Sequence, residues 1–144
     1  MSQVAFHFGA PDKLDYVGRL LRKAVGRGAR LVVHGQAELV RHLDTHLWAV
    51  SPTDFISHGV SGDAIAARSS VVLTSELHAG LPADAVLVNL AHDVPVGYEA
   101  FARVIEVVGL DEEDRALARA RWRQYAQQGQ TIEKFDLKNQ GGGQ

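Results

Sequence analysis

Two short apolar runs near the middle of the chain, Val71-Val-Leu-Thr74 and Ala85-Val-Leu-Val-Asn-Leu90, constrain the fold more than any other feature. Both are continuous and rich in β-branched residues, where a half-buried strand would alternate apolar with polar. Strands of that kind are covered on both faces, as in a parallel sheet with helices above and below it. They belong at the centre of a sheet.

The rest of the chain supplies the helices. Val4-Ala-Phe-His-Phe8 reads as a first strand, closed by Gly9-Ala-Pro11. A helix is expected over 13–25, with Asp12 as its N-cap and Leu14, Val17, Leu20, Leu21, Ala24 and Val25 at helical spacing. Leu31-Val-Val-His34 is a second strand. A helix over 37–48 buries Leu39, Val40, Leu43 and Leu47 and stops before Ser51-Pro52, because the residue before a proline disfavours helix. Phe55-Ile-Ser-His58 reads as a short strand. A third helix is expected over 98–108 on Phe101, Ala102, Val104, Ile105 and Val108, and a fourth opens at Asp111-Glu-Glu-Asp114, where acids suit the positive end of the helix dipole. Strands alternating with helices predict a single-domain, Rossmann-like α/β fold of three layers, with a mostly parallel sheet and helices on both faces. The domain is expected to span 1–129, and the polar stretch 130–144 to be a flexible tail.

Several function classes drop out on chemical grounds. The chain has 144 residues, a formal charge of −2 and no cysteine, so disulfides, thiolate chemistry and cysteine-held metals are excluded. No apolar run approaches the ~20 residues of a membrane span, so no membrane association and a cytoplasmic location are expected. The first strand-to-helix turn, Phe8-Gly-Ala-Pro-Asp-Lys13, lacks the glycines that let backbone amides reach a pyrophosphate, and no nucleotide cofactor is expected. His42 and His46 share one helical flank, but Leu43 stands where a zincin carries its catalytic glutamate, and no metal site is expected. Gly59-Val-Ser-Gly62 lacks the nucleophile-elbow spacing, which leaves no catalytic residue to name.

One segment does point to a ligand. Residues 115–125 hold four arginines and two aromatics with no acid among them. On a helix, Arg115, Arg119 and Trp122 fall on one stripe, with Arg123 beside them. Guanidinium groups clamp carboxylate or phosphate in a fork, and an indole offers an apolar platform, so the ligand should carry negative charge and something to stack. A nucleic acid held directly by this helix fits that chemistry as an alternative, with Trp122 stacking on bases. The overall acidic balance argues against it. Trp48 and Phe55 bracket the Ser51-Pro52 turn and read either as core closure or as a protein-binding anchor.

Three motifs in order, Leu43-Asp-x-x-Leu-Trp48, Pro52-x-x-Phe-x-x-His58 and Ala118-Arg-x-Arg-Trp-Arg-x-Tyr125 followed by Gly129, resemble the chi subunit family of bacterial DNA polymerase III holoenzyme. That resemblance implies a Rossmann-like domain without a nucleotide site, acting as a replication adaptor with no catalytic site of its own. It implies binding of the acidic C-terminal tail of single-stranded DNA-binding protein, whose aspartates precede a terminal phenylalanine. The tail would lie on Arg115, Arg119 and Trp122, with Arg123 adding charge. It also implies attachment to the clamp loader through the psi subunit, on the surface around Trp48, Pro52 and Phe55. Contact with DNA would then be indirect. The family often has tyrosine where this chain has Trp122, which keeps the platform and loses the hydroxyl.

Overall fold

A computed structural model describes residues 2–50, 58–60, 71–77, 81 and 84–137, with side chains outside the description at 47–50 and 58–60. Seven strands form one sheet, in the order β3-β4-β2-β5-β6-β1-β7. They are β1 (Gln3–Ala10), β2 (Leu31–His34), β3 (His58–Val60), β4 (Val71–Thr74), β5 (Val86–Asn89), β6 (Arg103–Gly109) and β7 (Thr131–Asp136). Every pairing is parallel. The helices are α1 (Lys13–Gly26), α2 (Ala37–Val50) and α3 (Glu112–Gln127). The three-layer, parallel α/β architecture expected from the sequence is the one observed. Among the described residues no helix is long and apolar enough to cross a membrane.

The placement of the helices follows from the strand order. The connections from β1 to β2 and from β2 to β3 run one way across the sheet, and those from β5 to β6 and β6 to β7 run the other. Parallel crossovers are right-handed, so opposite directions put the connecting helices on opposite faces. Val17 and Leu21 of α1 and Val40 and Leu43 of α2 accordingly pack with Leu31, Val33, Leu73, Val88, Ile105 and Val107. On the other face Ala118 and Tyr125 of α3 meet Val4, Phe6, Val32, Leu87, Val104 and Val108. Alternate residues of the same strands serve the two cores, which is why the central strands read as unbroken apolar runs.

Helix starts follow local chemistry. Asp12 accepts a hydrogen bond from the Asp15 amide at 3.1 Å, and Asp111 caps α3 through the Asp114 amide at 3.3 Å. Lys13 at the start of α1 pairs with Asp114 at 3.3 Å, tying together the helices that leave neighbouring strands β1 and β6.

Two expectations are corrected. Residues 98–108 are not a helix: Tyr98–Ala100 form one 3-10 turn and β6 follows. Val104, Ile105, Val107 and Val108 are β-branched and buried, as a central strand requires. The false helical spacing arose because Glu106, itself fully buried, interrupts the apolar run. The flexible tail expected over 130–144 is corrected at its start, because Thr131–Asp136 form β7 on the outer side of β1. An edge strand is held by backbone pairing and needs little apolar surface, so composition alone misjudged it. Gly129, at φ 79°, makes the left-handed turn between α3 and this strand. Of the strand expected at 55–58 only His58 lies among the described residues, where it opens β3.

His7 offers a test of the packing between β1 and α1. Its Nδ1 lies 2.6 Å from the Tyr16 hydroxyl, and Phe135 of β7 packs edge-on at 5.2 Å. Burial lowers its pKa below 6.5, and the Arg103 charge lowers it further. The unfolded chain therefore takes up a proton more readily than the native one just below pH 6.5, so stability rises with pH through that window and falls on acidification. Thermal denaturation between pH 7 and pH 5 should show this slope, and His7→Phe should flatten it while losing the Tyr16 bond.

Candidate functional site: a basic groove with an aromatic floor

Helix α3 turns two different stripes to its surroundings. Ala118, Arg121 and Tyr125, at i, i+3 and i+7, face the sheet and are buried. Arg121 is only 3% exposed, its Nε donating to Glu106 Oε1 at 2.9 Å and its Nη1 to the His92 carbonyl at 3.0 Å. Glu106 Oε2 accepts from the Tyr125 hydroxyl at 2.7 Å and from Asn89 Nδ2 at 2.9 Å. Asn89 carries the network on, its Oδ1 lying 2.9 Å from His34 Nδ1. Burial pushes the Glu106 carboxyl up, opposed by the Arg121 guanidinium and by the bonds from Asn89 and Tyr125. Burial and then the neighbouring Glu106 raise the Tyr125 hydroxyl, so it stays protonated and donates. Charge pairing in place of a wide apolar stripe thus fixes the rotation of α3 on the sheet.

That rotation sets the outward stripe. Arg119, Trp122 and Arg123 line a groove of about 350 Å³, whose other wall is Phe8 from β1 and Lys134 from β7. The floor is aromatic. Trp122 packs against buried Phe6 at 5.0 Å between centroids and lies 6.3 Å from Phe8, and Phe6 and Phe8 stack at 5.7 Å. These three rings sit on alternate β1 positions and on the facing helix, so the indole is held by the core while one side stays open to the groove. Lys134 Nζ stands 5.5 Å above the Phe8 ring, a cation–π contact worth about 0.5–1 kcal/mol at an exposed site. Arg119 donates to Glu112 Oε1 at 2.9 Å, and Arg115 lies 3.9 Å from Glu112 Oε2.

The structure therefore brings Arg119, Trp122 and Arg123 together, as helical spacing predicts. It separates Arg115, which lies one turn nearer the N-terminus of α3 and is not among the lining residues. Phe8 and Lys134 were missed. Phe8 continues the buried alternation of Val4 and Phe6, a signal present in the sequence. Lys134 pairs with Phe6 in register, and that register could be read only once β7 was known. Trp48 closes the C-terminal end of α2 with its side chain outside the described residues, and Pro52 and Phe55 lie outside them altogether. His42 is exposed, and no group of three or more His, Asp or Glu among the described residues could hold a metal.

Three cations around an apolar floor, with no acid in the lining, have the chemistry to hold a short anionic segment carrying an aromatic or apolar group. Fold and groove define a parallel α/β domain with a basic, aromatic-floored groove and no phosphate loop at its first turn. The chain belongs to the DNA polymerase III chi subunit family, whose model matches residues 1–133. It is similar to the DNA polymerase III subunit chi of Haemophilus influenzae, 25% identical over 103 residues that cover 71% of this chain and 72% of that protein.

The buried pair predicts a non-additive response. Arg121→Met leaves a buried carboxylate without its counter-charge and should cost about 3–5 kcal/mol in urea unfolding. Adding Glu106→Gln, whose one amide oxygen can accept from both Tyr125 and Asn89 without the charge, should recover part of that loss.

Proposed function

We propose that this chain is a non-catalytic replication adaptor whose groove binds the acidic C-terminal tail of single-stranded DNA-binding protein. The observation carrying the proposal is the juxtaposition of Arg119, Arg123 and Lys134 around Trp122 and Phe8. An acidic peptide ending in a free carboxylate and a phenyl ring needs a guanidinium fork, further positive charge and an apolar wall, and each has a residue here. Family membership supports the same assignment. The psi subunit, and through it the clamp loader, would join at the surface around Trp48, Pro52 and Phe55, in the cytoplasmic replisome. Contact with DNA is then made through the partners. Direct nucleic-acid binding by α3 is the weaker alternative, because Arg121 is spent inside the core and leaves the exposed face one cation poorer.

The test is a titration with an aspartate-rich peptide ending in phenylalanine. Binding should be near micromolar, a free energy of about −8 kcal/mol. It should weaken as salt rises from about 50 to 300 mM. Arg119→Ala and Trp122→Ala should each cost about tenfold or more, as central anchors do. Unchanged binding in Arg119→Ala would overturn the site assignment, and tighter binding to a single-stranded oligonucleotide than to the peptide would favour the alternative.

A further inference from the structure

The groove's main guanidinium is occupied from within. Glu112, in the first turn of α3, reaches along the helix to Arg119 seven residues away. Its Oε1 accepts the Arg119 Nη2 bond at 2.9 Å, while its Oε2 lies 3.9 Å from Arg115 Nη1. All three side chains are exposed, so the contact is free to exchange with solvent and ligand. Arg123 and Lys134 have no ion pair among the described residues, and the lining of the groove contains no acid. Glu112 therefore stands outside the groove and lends its carboxylate to the one lining cation nearest the start of the helix.

We infer that Glu112 is an internal stand-in for the ligand's carboxylate, and that Arg115 receives it when the ligand takes Arg119. This rests on the groove's binding an acidic peptide. The exchange is a swap of like for like: one carboxylate leaves the Arg119 fork and another enters, so the number of charge-assisted bonds at Arg119 is conserved. The displaced Glu112 is not stranded. It stays within reach of Arg115, at i+3 on the same helix face, and at the helix N-terminus, which favours negative charge. Arg115 is thereby given a role that it does not have as a lining residue: it lowers the cost of opening Arg119. The low pKa of Glu112, set first by the Arg119 hydrogen bond and then by the Arg119 charge, agrees with the carboxylate being ionised and engaged in the free protein. The device keeps the contact weak and quickly reversible, and it holds the arginine extended before a ligand arrives.

A double-mutant cycle on the full chain tests this, using the aspartate-rich peptide ending in phenylalanine and reading the change in tryptophan fluorescence. Glu112→Gln should tighten binding about two- to fivefold, the scale of an exposed ion pair. Arg115→Ala should weaken binding about twofold with Glu112 present, and that loss should shrink towards nothing in the Glu112→Gln background. A general effect of charge would instead give Arg115→Ala the same loss in both backgrounds, which overturns the inference. So does unchanged or weaker binding in Glu112→Gln, since Glu112 would then position Arg119 and not compete for it. These outcomes leave the groove assignment standing as long as Arg119→Ala still weakens binding about tenfold or more. Silence of both the wild type and Glu112→Gln towards the peptide overturns the two together, because a freed Arg119 fork must take a carboxylate. Asp111, Glu113 and Asp114 keep the start of α3 acidic and capped, so a thermal melt should find Glu112→Gln folded like the wild type.

Discussion

A single buried carboxylate organises this molecule. Glu106 sits at 0% exposure in the interior strand β6 and gathers bonds from Arg121, Tyr125 and Asn89. Desolvating a charge is expensive, and the arrangement persists only because both oxygens are satisfied and the counter-charge is equally buried. What the pair gives in return is orientation. An apolar stripe tolerates rolling of a helix by a fraction of a turn, whereas a guanidinium bonded to one carboxylate oxygen and one backbone carbonyl does not. With Arg121 fixed inward, the residues on either side of it, Arg119, Trp122 and Arg123, have their directions fixed outward.

The aromatic floor is the second consequence of that arrangement. Phe6 is a core residue, Phe8 a half-exposed one, and Trp122 bridges them from the opposite element. The groove is thus a continuation of the core onto the surface, and its charges stand on a rigid platform. A surface made this way would lose little side-chain entropy in its apolar part if a ligand settled on it, and most of the ordering cost would fall on the arginines and on the ligand.

Much of this was legible in the sequence, and the failures share a cause. The strands at 31–34 and 71–74 and the helices at 13–25 and 37–48 follow from apolar spacing and capping residues. Helical geometry gave the stripe of Arg115, Arg119 and Trp122 with Arg123 beside it, of which Arg119, Trp122 and Arg123 line the groove and Arg115 does not. β6 was misread because Glu106 broke its pattern, and a buried charge is intelligible only beside its partner fifteen residues later on another element. For the same reason Arg121 could not be told from the exposed arginines around it. β7 was missed because an edge strand takes its stability from a neighbour's backbone, and Lys134 was lost with it. Local rules read local structure well; they fail where two distant segments share one requirement.

The groove draws its walls from nearly opposite ends of the described chain: Phe8 lies on β1, and Lys134 on β7, which pairs with β1 in register from Gln3 to Phe8. Those are among the contacts of greatest sequence separation in the fold, and such contacts are slow to form because the loop between them must first be closed. During synthesis β1 would wait for its outer neighbour until every other described strand of the sheet had been made. The groove is therefore complete only once β7 has paired, and a chain whose β7 is not yet made has no such surface to offer.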